Sequence, residues 1–422
     1  MCIRDSFEVG VPLLKGEKFA KELDLELSAR ITDDEIYGSN STYSAKIGWR
    51  PVNSLLIRGT YGTAFRAPNL RELYLMAQTG FNTIFDPCMV PEEAIDQFTG
   101  EYNSVADPRE AYVLDNCRNS GADPLNQGFA SYSVEQSTGG SLTLDPETSD
   151  SWTAGFAWEQ EMTNEFDFGV GATYYEVDID DTIIEPNGQY IVNDCYYTLT
   201  GQSAFCSRIS RDADGDIDLL DNGFLNRDNE KARGVDVNIT FGDEYSIGNN
   251  VYEVEWDVRA TRYIERSTLY LDDDGNEDYE DYAGEWGFPS WRGESTLAVR
   301  WEKWRAQLRT NYTAAVDQDP AGIDPLSDIY DSLNTGTFGD TCLGDTDAYC
   351  RDVGFADDYM IHTLSLSYSE DNWAVALGVR NLQDKAPPMV DGSEVTSKNN
   401  AAIGYGYDML GRTIFLSGGY TF

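Results

Sequence analysis

Two acidic stretches hold the residue spacing best suited to metal chemistry. Asp212-Ala-Asp214-Gly-Asp216-Ile-Asp218 and Asp272-Asp-Asp274-Gly-Asn276-Glu-Asp278 set oxygen donors at alternate positions around a glycine turn. Such spacing converges hard ligands on a cation, and calcium is the cation it suits. Neither stretch has the glycine expected at the sixth position. The twelfth, where a bidentate glutamate belongs, is Gly223 in one and Ala283 in the other. A solvated acidic turn is the competing reading. A second set is aromatic: Tyr196, Tyr197, Phe205, Tyr279, Tyr282, Trp286, Trp291 and Tyr330 lie among Asp, Asn and Gln. Aromatic faces stacked on sugar rings, with amides and carboxylates taking hydroxyls, would recognise a glycan. The same rings could instead pack the loops that carry them.

Other chemistry finds little support. No nucleophile triad, phosphate-cradling loop or paired acid–base carboxylates can be assembled, so no enzyme is expected. Haem held by histidine is disfavoured, because the only histidine is His362. A net charge of -44 and a pI near 4.1 argue against nucleic acid, which needs a basic surface. The same charge on the loops disfavours anionic ferric siderophores.

Seven cysteines fall as Cys2, Cys88 with Cys117, Cys195 with Cys206, and Cys342 with Cys350. Each later pair sits in one polar, strandless segment, and local pairing of that kind predicts three loop-stapling disulfides in an oxidising compartment. No CxxC and no partner histidine favour a metal site instead. Met1 to Ser6 forms an atypical leader without the apolar core of a signal peptide. The expectation is a true beginning that lies elsewhere, with the folded portion running over residues 7–422.

What positions these loops is alternation of period two. In the last stretch Ile414, Leu416, Gly418, Tyr420 and Phe422 share one face and Thr413, Phe415, Ser417, Gly419 and Thr421 the other. Trp152, Ala154, Phe156 and Trp158 repeat the pattern, as do Leu55, Ile57, Gly59, Tyr61, Thr63 and Phe65. About thirteen such strands can be counted, joined alternately by short turns and long loops. The other faces carry Asp24, Arg30, Arg58, Glu253, Asp257, Arg300, Arg309 and Arg380, which suit a wet lumen and would not suit a dry core. The oily faces therefore meet lipid, and Trp49, Trp158, Trp301, Tyr368 and Trp373 near the short turns form an aromatic girdle. The fold class read here is all-β: an antiparallel transmembrane β-barrel. An odd strand count cannot close an up-and-down barrel, so the barrel is expected to be partial.

The stretch Arg58 to Tyr74, containing Phe65-Arg66-Ala67-Pro68 and Glu72, resembles the TonB-dependent receptors of the Gram-negative outer membrane. Leu144-Asp-Pro146-Glu147-Thr-Ser-Asp-Ser-Trp-Thr-Ala-Gly155 is similar to a proline–glutamate–threonine strand start of that family, and Asn226 to Val237, ending Gly234-Val-Asp-Val237, Val379 to Leu382 and the terminal aromatic strand extend the likeness. The resemblance implies a barrel of about 22 strands filled by a plug. It also implies coupling to the TonB complex through a region amino-terminal to this chain, which would make the chain about thirteen of those strands. Active uptake of a scarce nutrient follows, with a carbohydrate or other neutral polar ligand expected from the loops. The alternatives are a ferric-siderophore or cobalamin receptor, a passive porin and, from another class, a soluble calcium-binding adhesin. The resemblance further implies outer-membrane lipid and lipopolysaccharide as surroundings. It makes Tyr420 and Phe422 a signal for the barrel-assembly machinery. For Arg66, Pro68 and Glu72 the residues themselves suggest a structural role: an inward arginine at a strand end, a stop to the ladder and a carboxylate able to pair with an arginine.

Overall fold

The computed structural model describes residues 3–96, 98–161, 166–199, 203–271, 277–317, 355–390, 397–398 and 401–421. Cys2, Tyr330, Cys342, Cys350 and Phe422 lie outside them, as does the acidic stretch from Asp272 to Asn276.

Thirteen strands pair in sequence order into one antiparallel sheet, which a fourteenth, Glu277–Asp281, joins by pairing with Asn250–Leu271. The thirteen are β1 Ile3–Glu17, β2 Ala20–Asp34, β3 Gly38–Val52, β4 Leu55–Arg66, β5 Glu147–Glu161, β6 Phe166–Ile184 and β7 Leu225–Ile247, followed by β8 Asn250–Leu271, β9 Trp291–Trp301, β10 Trp304–Thr313, β11 Tyr359–Ser369, β12 Trp373–Arg380 and β13 Thr413–Tyr420. β1 begins at Ile3, earlier than the expected Phe7, and pairs Ile3 with Asp33 of β2. Among the described residues β1 and β13 each have one neighbour only.

Register carries the two-faced pattern across the wall. Leu297 pairs with Trp256 and Leu308, and Leu364 with Leu308 and Val379, so apolar side chains share the outward face. Of the expected girdle, Trp301, Tyr368 and Trp373 run ring to ring with Tyr252 and Trp304 across five strands at the short-turn end, with centroids 4.8–6.4 Å apart, whereas Trp158 meets Phe168 and Trp49 donates to the Phe19 carbonyl outside that run. Among the described residues no helix is long and apolar enough to cross a membrane, a fact silent on strands.

β6, β7 and β8 hold 19, 23 and 22 residues. A bilayer needs only about 9–11 residues per strand. The surplus rises beyond the lipid at the long-loop end and supports what sits there. The segments expected to be strandless are not: Gln78–Phe85 pairs with Ser131–Thr138, which pairs in parallel with Ile217–Asp221. The two stapled loops thus share one small sheet. Its core unites Ile84, Val113 and Val134 of the first loop with Ile191, Val192, Phe205 and Leu220 of the second. Polar composition hid this core because apolar residues are sparse in both loops and become sufficient only when pooled.

Candidate ligand-binding site

At the rim, β4 ends on Arg66 and the chain turns at Pro68 into α1, Leu70–Tyr74. Asn69 caps that helix and Glu72 bonds back to the Asn69 amide at 2.7 Å, a reciprocal capping box. Arg66 then bridges two carboxylates, reaching Glu147 at 2.5 and 2.6 Å and Glu72 at 3.0 Å. Glu147 opens β5 directly after Pro146 and also accepts from the Ile183 amide at 2.8 Å. The knot ties β4, β5, β6 and α1 at one height. It is the structural role expected of Arg66, Pro68 and Glu72.

Above it stands the loop unit. Cys88 is bonded to Cys117 and Cys195 to Cys206, and Cys88, Cys117 and Cys195 lie in its core. Arg211 grips the fully buried Asp86 at 2.7 and 2.9 Å. Burial alone would lower the Arg211 pKa, yet the bonds to Asp86 leave it raised. Arg109 holds the Asp107 carboxyl down to about 2. In the acidic turn, Asp212 Oδ1 accepts the amides of Asp214 and Asp216 at 2.9 and 3.1 Å. One of the candidate calcium ligands therefore shapes the turn itself. Among the described residues no group of three or more Asp, Glu, His or Cys side chains is placed to hold a metal.

Along the polar face of β7 to β12 lies a recess of about 810 Å³ lined by Asp236, Asn238, Arg259, Thr261, Arg292 and Asn311. Register sets them side by side: Asn238 pairs with Arg259, Arg259 with Glu294 and Glu294 with Asn311. Asp236 accepts from the Thr261 hydroxyl at 2.7 Å. Tyr405 closes the outer end. Its backbone stands at φ 51°, in the left-handed region that a tyrosine rarely adopts, and its side chain is 51% exposed. The ring meets Trp286 edge-on at 5.6 Å and lies so close to Gly287 that a Cβ there would come within 3.0 Å. Arg380, also on the lining, pairs with the buried Asp408 at 3.1 Å.

A wall of two-faced strands, a rim knot and fused outer loops can be set beside known proteins. The family described as TonB dependent receptor-like, beta-barrel, matches residues 17–382. The chain belongs to that family. Receptors of this family lie in the Gram-negative outer membrane and are transporters, not enzymes. The vitamin B12 transporter BtuB of Vibrio cholerae is 38% identical over 50 residues, 12% of this chain and 8% of the relative. The siderophore receptor PirA of Acinetobacter baumannii superposes with a TM-score of 0.56 at 14% identity, covering 100% of this chain and 46% of PirA. A variant of the ferric enterobactin receptor PfeA of Pseudomonas aeruginosa, in complex with enterobactin, gives 0.54 at 14% identity, covering 100% of this chain and 45% of PfeA. The receptor chain thus spans about half the length of these structures, and the likeness is one of fold.

The expected ligand aromatics scatter across this receptor wall. Tyr196 is fully buried in the loop core, its hydroxyl between Ser120 and Arg211, so it is corrected to a packing residue, and Phe205 packs there too. Tyr197 is exposed on the same unit. Trp291 shares the outward face with Leu297 and Trp301, under Arg262, and Tyr279 bonds Glu265 on that side. These two are corrected to rim residues. Tyr282 stands on the inner side, where burial pushes its hydroxyl up to about 12, and Trp286 backs Tyr405. Sequence reasoning missed Arg259, Arg292 and Tyr405. The Gly404-Tyr405-Gly406 flanking was the available signal for the last.

Proposed function

We propose that this chain is the carboxyl-terminal part of the wall of an energy-coupled uptake receptor for a polar nutrient, with a carbohydrate the ligand class that fits best. The observation that carries the reading is the recess: amide, hydroxyl and carboxylate groups aligned by strand register beneath an exposed, strained tyrosine. Such a surface exchanges hydrogen bonds with hydroxyls while a ring face stacks on the sugar. The relatives named above are named for siderophores and vitamin B12, but at 14% identity the ligand has to be argued from the recess itself. In this reading residues 7–422 form barrel wall, and the remainder of the receptor supplies the early strands, the plug and the segment pulled by TonB. Lipopolysaccharide and outer-membrane lipid surround it, and the barrel-assembly machinery reads its last strand at Tyr420.

Uptake by cells tests this. Cells carrying the complete receptor should accumulate a labelled oligosaccharide while the inner membrane is energised and stop when a protonophore is added. Accumulation that persists with the protonophore would mean passive conduction and would overturn the coupled-uptake reading.

A further inference from the structure

In a chain of net charge -44 the recess lining gathers three arginines, Arg259, Arg292 and Arg380, beside two carboxylates, Asp236 and Glu294. Asp and Glu number 74 against 30 Lys and Arg, so an arginine on this wall has acidic neighbours in excess. Most lumenal arginines find one. Arg309 pairs with Glu294, Arg300 with Glu253 and Glu255, and Arg380 with Asp408. Arg259, Arg266 and Arg292 do not: none forms an ion pair among the described residues. Arg292 donates to the Gly287 carbonyl at 3.4 Å, and its Nε is buried without an acceptor. Arg266 lies over the Phe288 ring at 5.0 Å and lines a smaller pocket that also contains Arg292. Arg259 and Arg292 are diagonal neighbours on β8 and β9, because Arg259 pairs with Glu294 while Thr261 pairs with Arg292. Diagonal partners in an antiparallel pair stand about 7–8 Å apart, close enough for two guanidinium groups to share one anion. Glu294, which could neutralise Arg259, is turned to Arg309.

We infer that the recess takes an acidic carbohydrate, with the carboxylate of a uronic-acid residue between Arg259 and Arg292, its ring against Tyr405 and its hydroxyls toward Asn238, Thr261 and Asn311. The inference rests on the carbohydrate reading above and sharpens it, replacing the neutral ligand expected from net charge. Asp236 and Glu294 share the lining but are turned to Thr261 and Arg309, so neither arginine is ion-paired among the described residues, and a carboxylate between the two offsets their mutual repulsion while taking bidentate bonds from planar donors. The strain at Tyr405 is consistent with a ring held in place for a ligand face.

The test is calorimetric titration of the complete receptor, purified in detergent, with a uronic-acid oligosaccharide and with the same oligosaccharide after methyl esterification of its carboxylates. The acid should bind at least roughly tenfold more tightly than the ester, the scale of charge-assisted hydrogen bonds. Arg259→Gln with Arg292→Gln should erase that preference, so that acid and ester bind the variant with equal affinity. Equal affinity for acid and ester in the unaltered receptor overturns the inference and leaves the carbohydrate reading standing. Binding of neither overturns both. Should the double variant fail to fold, salt decides in the unaltered receptor. Affinity for the acid that falls with ionic strength while that for the ester holds supports the inference, and salt-independence of both overturns it.

Discussion

At the scale of single residues, the rim knot shows what one side chain can organise. Arg66 → Met leaves Glu72 and Glu147 facing each other with no counter-charge, and both carboxylates are nearly buried. Breaking a buried pair costs about 3–5 kcal/mol, and because Arg66 is half-exposed the expected loss is nearer 1–3 kcal/mol. Temperature-dependent gel mobility of the complete receptor should show the lower unfolding temperature, and Arg66→Lys should recover only part of it, since lysine lacks the fork that reaches both partners. Asp107 gives a pH signature of its own. Arg109 depresses its folded pKa to about 2 from an ordinary 3.8. The stabilisation is therefore complete above about pH 4 and lost as pH falls from there toward 2, amounting to at most roughly 2 kcal/mol. Hydrogen exchange of the loop amides should steepen in that window, and Asp107→Asn should flatten it. How far these roles were legible varies with sequence distance. Arg66 and Glu72 are six apart and their pairing could be read from the chain. Arg259, Arg292 and Tyr405 meet only through strand register and a late loop, so no local pattern announces them. Tyr196 was legible but misread: Ile191, Val192, Cys195 and Tyr196 recur at helical spacing on α2, Gly188–Tyr197, and mark a buried face rather than a ligand surface.

Secondary-structure elements divide into those a period of two reveals and those it does not. All thirteen wall strands were visible because lipid on one side and water on the other impose strict alternation. The loop unit was not, since its sheet pairs Leu219 with Glu135 from a different loop and no short window contains both strands. Its staples should matter locally. The Cys88–Cys117 bond has a sequence separation of 29, and closing such a loop is worth roughly 3–4 kcal/mol on the chain-entropy model. Cys88→Ser with Cys117→Ser should expose the loops to brief proteolysis while the wall strands stay protected; equal protease resistance with and without the bond would show that the pooled core suffices alone. Within the wall, Gly155 has a steric reason. A Cβ there would lie 2.5 Å from the Ala172 carbonyl oxygen, and beside it Arg58 reaches from β4 to the Thr173 hydroxyl at 3.0 Å. Gly155→Val should force β5 and β6 apart and lower the yield of folded receptor in outer membranes, where Ala157→Val, one lumenal position along, should be milder.

For the molecule as a whole, the two edges of the sheet set the behaviour. β13 pairs with β12 through Trp373 to Tyr420 and, among the described residues, with nothing on its other side; β1 is in the same position beyond its pairing with β2. Both edges are long in unpaired backbone groups and oily outside: Phe7 is 66% exposed, Ile414 71% and Leu416 74%. In a bilayer an unpaired amide or carbonyl costs several kcal/mol, which is why spanning sheets close. In water the same edge recruits other chains. The sheet has the alternation, girdle and rim of a barrel wall, yet among the described residues neither edge has a neighbour to satisfy it. Refolded by itself into detergent, the 422-residue chain should therefore form polydisperse aggregates by light scattering, with β-structure by circular dichroism and no heat-dependent gel shift. The complete receptor under the same conditions should give one monodisperse, heat-modifiable species. A monodisperse, heat-modifiable product from the 422-residue chain would mean that β1 and β13 close on each other, and the wall would then be a small barrel in its own right rather than part of a larger one.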